Sequence, residues 1–283
     1  MKVLQLTRQQ RAAALASDAD GERTGIFTSG IVAIHTGLQI ALFFTGVRHA
    51  GENLAAVLAR RNTDLPAPIQ MCDGLARNIP SDFDTILSPC LAHARRKYVE
   101  LTETFPAEVR FVLETLREVY ITDARARDRG LDPAQRLQLH QEESQPRLAA
   151  LERWMQRQLT ERLIEPNSAL GAAIRSMQKR WSELTLFLRV QGAPLDNNTS
   201  ERALKKAILH RKHALFYRTL AGAPVGDVFM TLIHTAELNH IAPFEYLVAL
   251  QRHAAELAAN PAAWMPWNDQ AALASHPAGP DPP

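Results

Sequence analysis

Cysteine is scarce in this chain. Only Cys72 and Cys90 occur in 283 residues, too few for a disulfide framework and without the doubled Cys-x-x-Cys spacing of a structural zinc site. A reducing cytoplasm is the expected compartment. No uncharged run reaches the roughly 18 apolar residues that a membrane helix requires, and the opening stretch MKVLQLTRQQRAAALASDADGERTG lacks the apolar core of a signal peptide. Aromatic residues make up only 6% of the chain, and the formal net charge is only +2. So small a charge does not by itself announce a nucleic-acid binder, because attraction depends on where the charges sit. What is present is a 46% hydrophobic, 22% charged composition, enough to bury the core of one large or two ordinary domains.

Along the chain, 25–36 and 38–47 are rich in Ile, Val, Phe and Thr and are separated by Gly37, which predicts a β-hairpin. Residues 51–61 are apolar at 54, 57 and 58 and read as a short amphipathic helix ending before Leu65-Pro66-Ala67-Pro68. Ile69 to Cys72 reads as a short buried strand that delivers Asp73, with Gly74 after it. A further short strand is expected over 85–88, and Pro89 should open a helix running to Tyr98. From Pro106 to about Arg189 the apolar spacing is helical throughout, with breaks expected near Gly130-Leu131-Asp132-Pro133, Gln145-Pro146 and Glu165-Pro166. Asp196-Asn197-Asn198-Thr199-Ser200 is a turn and cap cluster that places Glu201 in the first turn of a helix. Val228 to His240 reads as a buried helix, Pro243 to Ala259 as a surface helix, and the tail beyond Trp267 as disordered.

Three constellations carry chemistry. Transfer or hydrolysis of a phosphodiester by two divalent ions needs several carboxylates around metals roughly 3.5–4 Å apart, and magnesium favours such oxygen ligands. Asp73 at a strand end and Glu201 at a helix start are candidates. Each also has a purely structural reading, as a turn residue and as a carboxylate favoured by the helix dipole. From Arg202 to Arg218 there are six Lys or Arg residues (202, 205, 206, 211, 212 and 218), two His, and no Asp or Glu. This suits either a phosphate-contacting surface or a solvated helix face, with Phe216 and Tyr217 available for base stacking or for the core. Arg95-Arg96-Lys97 admit the same two readings. Cys90-x-x-His93 supplies half of a tetrahedral zinc site, but no second pair follows at the expected spacing.

Five ordered blocks carry a resemblance. Cys72-Asp73-Gly74, then Cys90 to Lys97, then Asp196-Asn197-Asn198-x-x-Glu201-Arg202-Ala203, then Arg211-Lys212 with Leu215-Phe216, and Thr235-Ala236-Glu237-Leu238-Asn239 resemble successive segments of the insertion-sequence-66 family of transposases. The resemblance spans roughly residues 25–267. It implies an α/β fold: a ribonuclease-H-like core interrupted by an all-α insertion and followed by C-terminal helices. The first part of that core is expected over 1–105, the insertion over 106–194, core completion with C-terminal helices over 195–262, and a disordered tail over 263–283. It further implies an Asp-Asp-Glu triad in which Asp73 is the second carboxylate and Glu201 the third, together holding two Mg2+ ions for DNA strand cleavage and transfer. Arg95, Arg96, Lys97, Arg202, Lys205, Lys206, Arg211 and Lys212 are the implied DNA-binding residues. The implied partners are transposon-end and target DNA, with further copies of the chain or accessory transposition proteins.

The first triad Asp is expected a few residues before the segment that Lys2-Val3-Leu4-Gln5-Leu6 resembles, and so upstream of Met1. On this reading the two-ion site is incomplete and the chain, shortened at its N-terminus, is weakly active or inactive alone. Asp18 and Asp20 read as loop residues. The alternative is a non-catalytic DNA-binding or regulatory remnant that keeps the basic face.

Overall fold

The structure is a computed structural model that describes residues 26–213, 217, 219, 222–268 and 271, apart from the side chains of His210 and Arg211. The segments 2–6 and 18–20, Phe216, Arg218 and almost all of the tail beyond Asn268 lie outside the described residues. In chain order the elements are β1 (Phe27–His35), β2 (Leu38–Gly46), α1 (Ala50–Leu58), β3 (Ile69–Cys72), β4 (Ile86–Pro89), α2 (Leu91–Val99), α3 (Pro106–Asp128), α4 (Pro133–Thr160), α5 (Ala169–Gln178), α6 (Trp181–Leu184), α7 (Asn198–His213), α8 (Gly222–Leu238), α9 (Pro243–Arg252) and α10 (Ala254–Ala259). The fold is α/β with helices dominant. No described helix is long and apolar enough to cross a membrane. The chain divides into two compact units, one of residues 1–60, 79–81 and 198–283, the other of residues 61–78 and 82–197.

In the first unit β1 and β2 form the expected antiparallel hairpin, with Phe27 opposite Gly46 and His35 opposite Leu38. Thr36 and Gly37 both adopt positive φ, 48° and 85°, the backbone that a two-residue hairpin turn of this twist demands. Gly37 does so at little steric cost. Thr36, being β-branched, does not. α1 turns Gly51 and Asn53 inward, leaving 54, 57 and 58 half-buried, and Asn53 donates to the Ser29 hydroxyl at 3.2 Å.

The outer edge of β2 is closed by the side chains of α8 and Asn239. Asp227 Oδ2 accepts the Thr45 N–H at 2.5 Å, Thr231 Oγ1 accepts that of Phe43 at 3.2 Å, and Thr235 Oγ1 accepts that of Ala41 at 3.1 Å. Asn239 finishes the series by accepting from the Gln39 N–H at 3.2 Å and donating to the Gln39 carbonyl at 2.6 Å. Four residues of helix rise about 6 Å and two residues of strand about 6.8 Å. The two periods match closely enough for every fourth helical side chain to meet every second strand residue, and an edge that would otherwise invite another strand is capped. Behind this ladder, Ala41, Phe43, Ala203, Ala207 and Met230 form one core and Ala236, Tyr246, Leu250 and Trp264 another.

In the second unit β3 and β4 run parallel, Ile69 beside Ile86 and Cys72 beside Pro89. Pro89 therefore ends a strand rather than opening a helix, and Cys90 takes the cap position of α2. The reason is visible in the pairing: the Cys90 N–H is held by the Cys72 carbonyl at 3.0 Å, which carries the ladder one residue past the proline. The helical block has its breaks at Gly130–Asp132 and around Pro166, but none at Pro146, which lies inside a continuous α4. His140, Ser144, Leu148, Leu151 and Met155 are buried along one side of that helix, while Pro146 is exposed on the other. Packing of that buried side offsets the roughly 3 kcal/mol an interior proline costs.

Of the apolar positions at helical spacing in the sequence, Val109, Val112, Leu116, Val119, Leu148, Leu151, Leu170, Ile174, Met177 and Leu184 are buried in the core of this unit, and Leu113, Trp154 and Trp181 are partly buried against it. One polar cluster sits among them. Asp123 accepts from Arg136 Nε at 2.8 Å and Nη2 at 2.7 Å and lies 3.2 Å from His140 Nε2, while His140 Nδ1 meets the Ser144 hydroxyl at 2.9 Å. Arg136 also donates to the Ala193 carbonyl at 2.8 Å. The helical hairpin α3–α4 thereby grips the segment that leads into Leu195-Asp196-Asn197.

Candidate active site

Asp73 stands one residue beyond β3, half-buried. Its Oδ1 accepts the Leu75 N–H at 3.1 Å and the Asn78 side-chain amide at 2.7 Å. Asn78 is itself tied back to the strand, because buried Gln70 donates to the Asn78 carbonyl at 2.6 Å and accepts the Thr85 hydroxyl at 2.8 Å. This relay turns Asp73 through its first oxygen alone. Neither of those bonds uses Oδ2, and a carboxylate oxygen held in this way suits a hard divalent cation. The turn reading of Asp73 is thus correct as local structure, and it leaves the ligand reading open.

Gly74 follows with φ +77°, a conformation that favours glycine. Over it lies Arg180, from the junction of α5 and α6, donating through Nη2 to the Gly74 carbonyl at 3.1 Å. A β-carbon at residue 74 would collide with that guanidinium.

Cys72 and Cys90 cap the ends of neighbouring strands as free, buried thiols. Their Sγ atoms accept the N–H groups of Gly74 and Asn197, each at 3.4 Å. Burial pushes both thiols up from their ordinary range, outweighing those hydrogen bonds, so both stay protonated at neutral pH. The Asn197 contact fixes the Asp196-Asn197 motif against the start of α2, and Leu91 N–H adds a bond to the Leu195 carbonyl at 3.0 Å. Beside this motif the Tyr120 phenol is pushed well above its usual range, by burial first and then by the Asp196 carboxylate.

Glu201 occupies the first turn of α7, where the helix dipole favours a carboxylate. It lines an open hollow of about 380 Å³ with Asn198, Arg202, Leu204, Lys205 and Ile208. Arg202, Lys205, Lys206 and Lys212 are exposed along the same helix. Lys206 is paired with Glu237 at 2.8 Å, and Glu237 also binds His234 Nδ1 at 2.8 Å. Burial would raise the Glu237 carboxyl, but its bonds to Lys206 and His234 prevail and hold it below the usual range. The side chain of Arg211 lies outside the described residues. In the second unit Arg95, Arg96 and Lys97 are exposed on α2, with Lys97 donating to the Ser176 hydroxyl at 2.7 Å.

Asp73 thus stands just past β3 and Glu201 in the first turn of α7, the element ends expected from the sequence, and Arg95, Arg96, Lys97, Arg202, Lys205, Lys206 and Lys212 are exposed. Gln70, Asn78 and Arg180, whose partners are set by the fold, carry no such signal in the sequence.

No solved structure matches the chain. Three proteins of Sinorhizobium fredii (strain NBRC 101917 / NGR234), all described as uncharacterized, are similar. Protein y4jD is 32% identical over 168 residues, 57% of this chain and 31% of its own length. Protein y4hP is 31% identical over 169 residues, 56% and 30%, and y4qI 28% identical over 185 residues, 64% and 34%. The matches thus span about a third of the length of these relatives. The family model described as "Transposase IS66 family" matches residues 39–224, a stretch that contains both candidate carboxylates and the whole of the basic helix. The chain belongs to the IS66 family of transposases.

Proposed function

We propose that the chain supplies catalytic carboxylates and DNA contacts for metal-dependent DNA strand cleavage and transfer, on a ribonuclease-H-like core interrupted by the helical insertion of residues 106–194. Asp73 serves as the second triad carboxylate and Glu201 as the third, each giving oxygen ligands to Mg2+. Bound magnesium supplies activation of water for cleavage and of a 3′-hydroxyl for transfer. The protein's own residues prepare the ligands: Asn78 and the Leu75 N–H aim Asp73 by holding one oxygen, and the first turn of α7 presents Glu201. Arg202, Lys205 and Lys212 neutralise DNA phosphates, with Arg95 and Arg96 doing so from α2.

The observation that carries this reading is α7 itself. A carboxylate in its first turn is followed by exposed cations with no acid among them, as an enzyme acting on a polyanion through metal ions requires. Titration with Mn2+ as a spectroscopic stand-in for Mg2+ tests it. Asp73→Asn and Glu201→Gln are each expected to weaken Mn2+ binding at least tenfold, about the lower bound for altering a metal site's supporting residues. Variants that bind Mn2+ as the parent does would remove the proposal.

A further inference from the structure

We propose that Arg180 is a DNA-phosphate contact that the helical insertion places beside Asp73; the inference rests on the reading of Asp73 as a metal ligand. Three observations in the second unit support it. The guanidinium donates to the Gly74 carbonyl, which fixes its plane while leaving most of its five N–H donors for another acceptor. Residue 74 has no β-carbon, and one there would occupy the space that the guanidinium fills. Among the described residues Arg180 forms no ion pair with Asp73 or any other carboxylate, although it is exposed. It is a cation oriented by a neutral carbonyl and not quenched by an acid.

A guanidinium pre-oriented by one hydrogen bond is well suited to gripping a phosphate with its remaining fork. The neighbourhood has the same sign. Arg175 and Lys179 are exposed just before Arg180, and Lys97 reaches Ser176 from α2, so a row of cations leads along α5 to the Asp73 turn. A DNA backbone following this row brings a phosphate to the residue next to the proposed metal ligand. Arg180 would then share the charge of the phosphate that Asp73's metal engages.

The test is the salt dependence of duplex DNA binding by the full chain. Each phosphate contact contributes about 0.9 to the slope of log K against log salt. Arg180→Ala and Arg180→Gln are expected to lower the slope by about one contact. Gln keeps a polar side chain of intermediate length without the charge, and circular dichroism establishes that the variant compared is folded. Arg180→Lys is expected to retain the slope. A Gln variant with the parent's slope overturns the inference. Mn2+ titration of Asp73→Asn beside the Gln variant separates the two proposals: Mn2+ affinity weakened in Asp73→Asn with the slope lowered in Arg180→Gln supports both, whereas Mn2+ bound by Asp73→Asn as by the parent with the slope lowered in Arg180→Gln removes the metal reading and leaves the phosphate contact.

Discussion

Thr235 uses one hydroxyl to satisfy both backbone groups of Ala41, accepting its N–H at 3.1 Å and donating to its carbonyl at 3.2 Å. Both residues are buried, so removing the hydroxyl strands a donor and an acceptor out of reach of water. Thr235→Val keeps the shape and is expected to cost about 1–3 kcal/mol. For a chain of this size that lowers the midpoint of thermal unfolding by roughly 2–4 °C per kcal/mol. An unchanged midpoint would show that the ladder between α8 and β2 contributes little.

Asp123 makes the stability of the helical unit depend on acid. Burial acts to raise its carboxyl, but the His140 hydrogen bond and Arg136 hold it below the ordinary carboxylate range. A group whose folded pKa lies below its unfolded value, near 3.9, stabilises fully above that value and loses its contribution as pH falls through the folded one. Arg136→Met removes the nearest cation and leaves the buried carboxylate only the exposed Arg127 guanidinium at 3.9 Å. The expected cost is about 3–5 kcal/mol at pH 7, with the acid unfolding transition moved to higher pH. Circular dichroism against pH would show it, and coincident acid transitions would contradict it.

Lys205 and Lys206 look equivalent in the sequence but differ in the fold. Lys206 is paired with Glu237, whereas no described carboxylate pairs with Lys205. Lys205→Ala is expected to reduce the salt slope of DNA binding by about 0.9, and Lys206→Ala by clearly less. Lys206→Ala should also let the Glu237 carboxyl rise, which NMR titration of that side chain would detect. Equal slopes for the two variants would contradict this division.

Gly74→Ala forces a β-carbon onto a positive-φ backbone and into the Arg180 guanidinium. It is expected to destabilise the second unit by about 1–3 kcal/mol and to reproduce the DNA-binding defect of Arg180→Gln. Full stability and parental DNA binding together would show that Arg180 does not rest on Gly74 in solution.

Much of the fold was legible because it is local. Thr36-Gly37 marks the hairpin, the apolar spacing over 106–189 marks the helices, and the cap-rich run before Glu201 marks the start of α7. What escaped depends on partners distant in sequence. Pro146 looked like a break because the buried side of α4 that carries it through is a tertiary feature. Pro89 looked like a helix start because its pairing with β3 is non-local. Thr235 and Asn239 stood out as a motif, but their bonding to β2 lies nearly 200 residues away. The site followed the same rule: Asp73 and Glu201 were visible as residues at element ends, whereas Arg180 had no sequence signal at all.

The most direct test of the central claim, that Asp73 and Glu201 are metal ligands, is backbone cleavage of the protein by bound Fe2+ with ascorbate. The account predicts cuts adjacent to residues 73 and 201 that Mg2+ suppresses, the former lost in Asp73→Asn and the latter in Glu201→Gln. Cleavage confined to other segments, or insensitive to Mg2+, would contradict it.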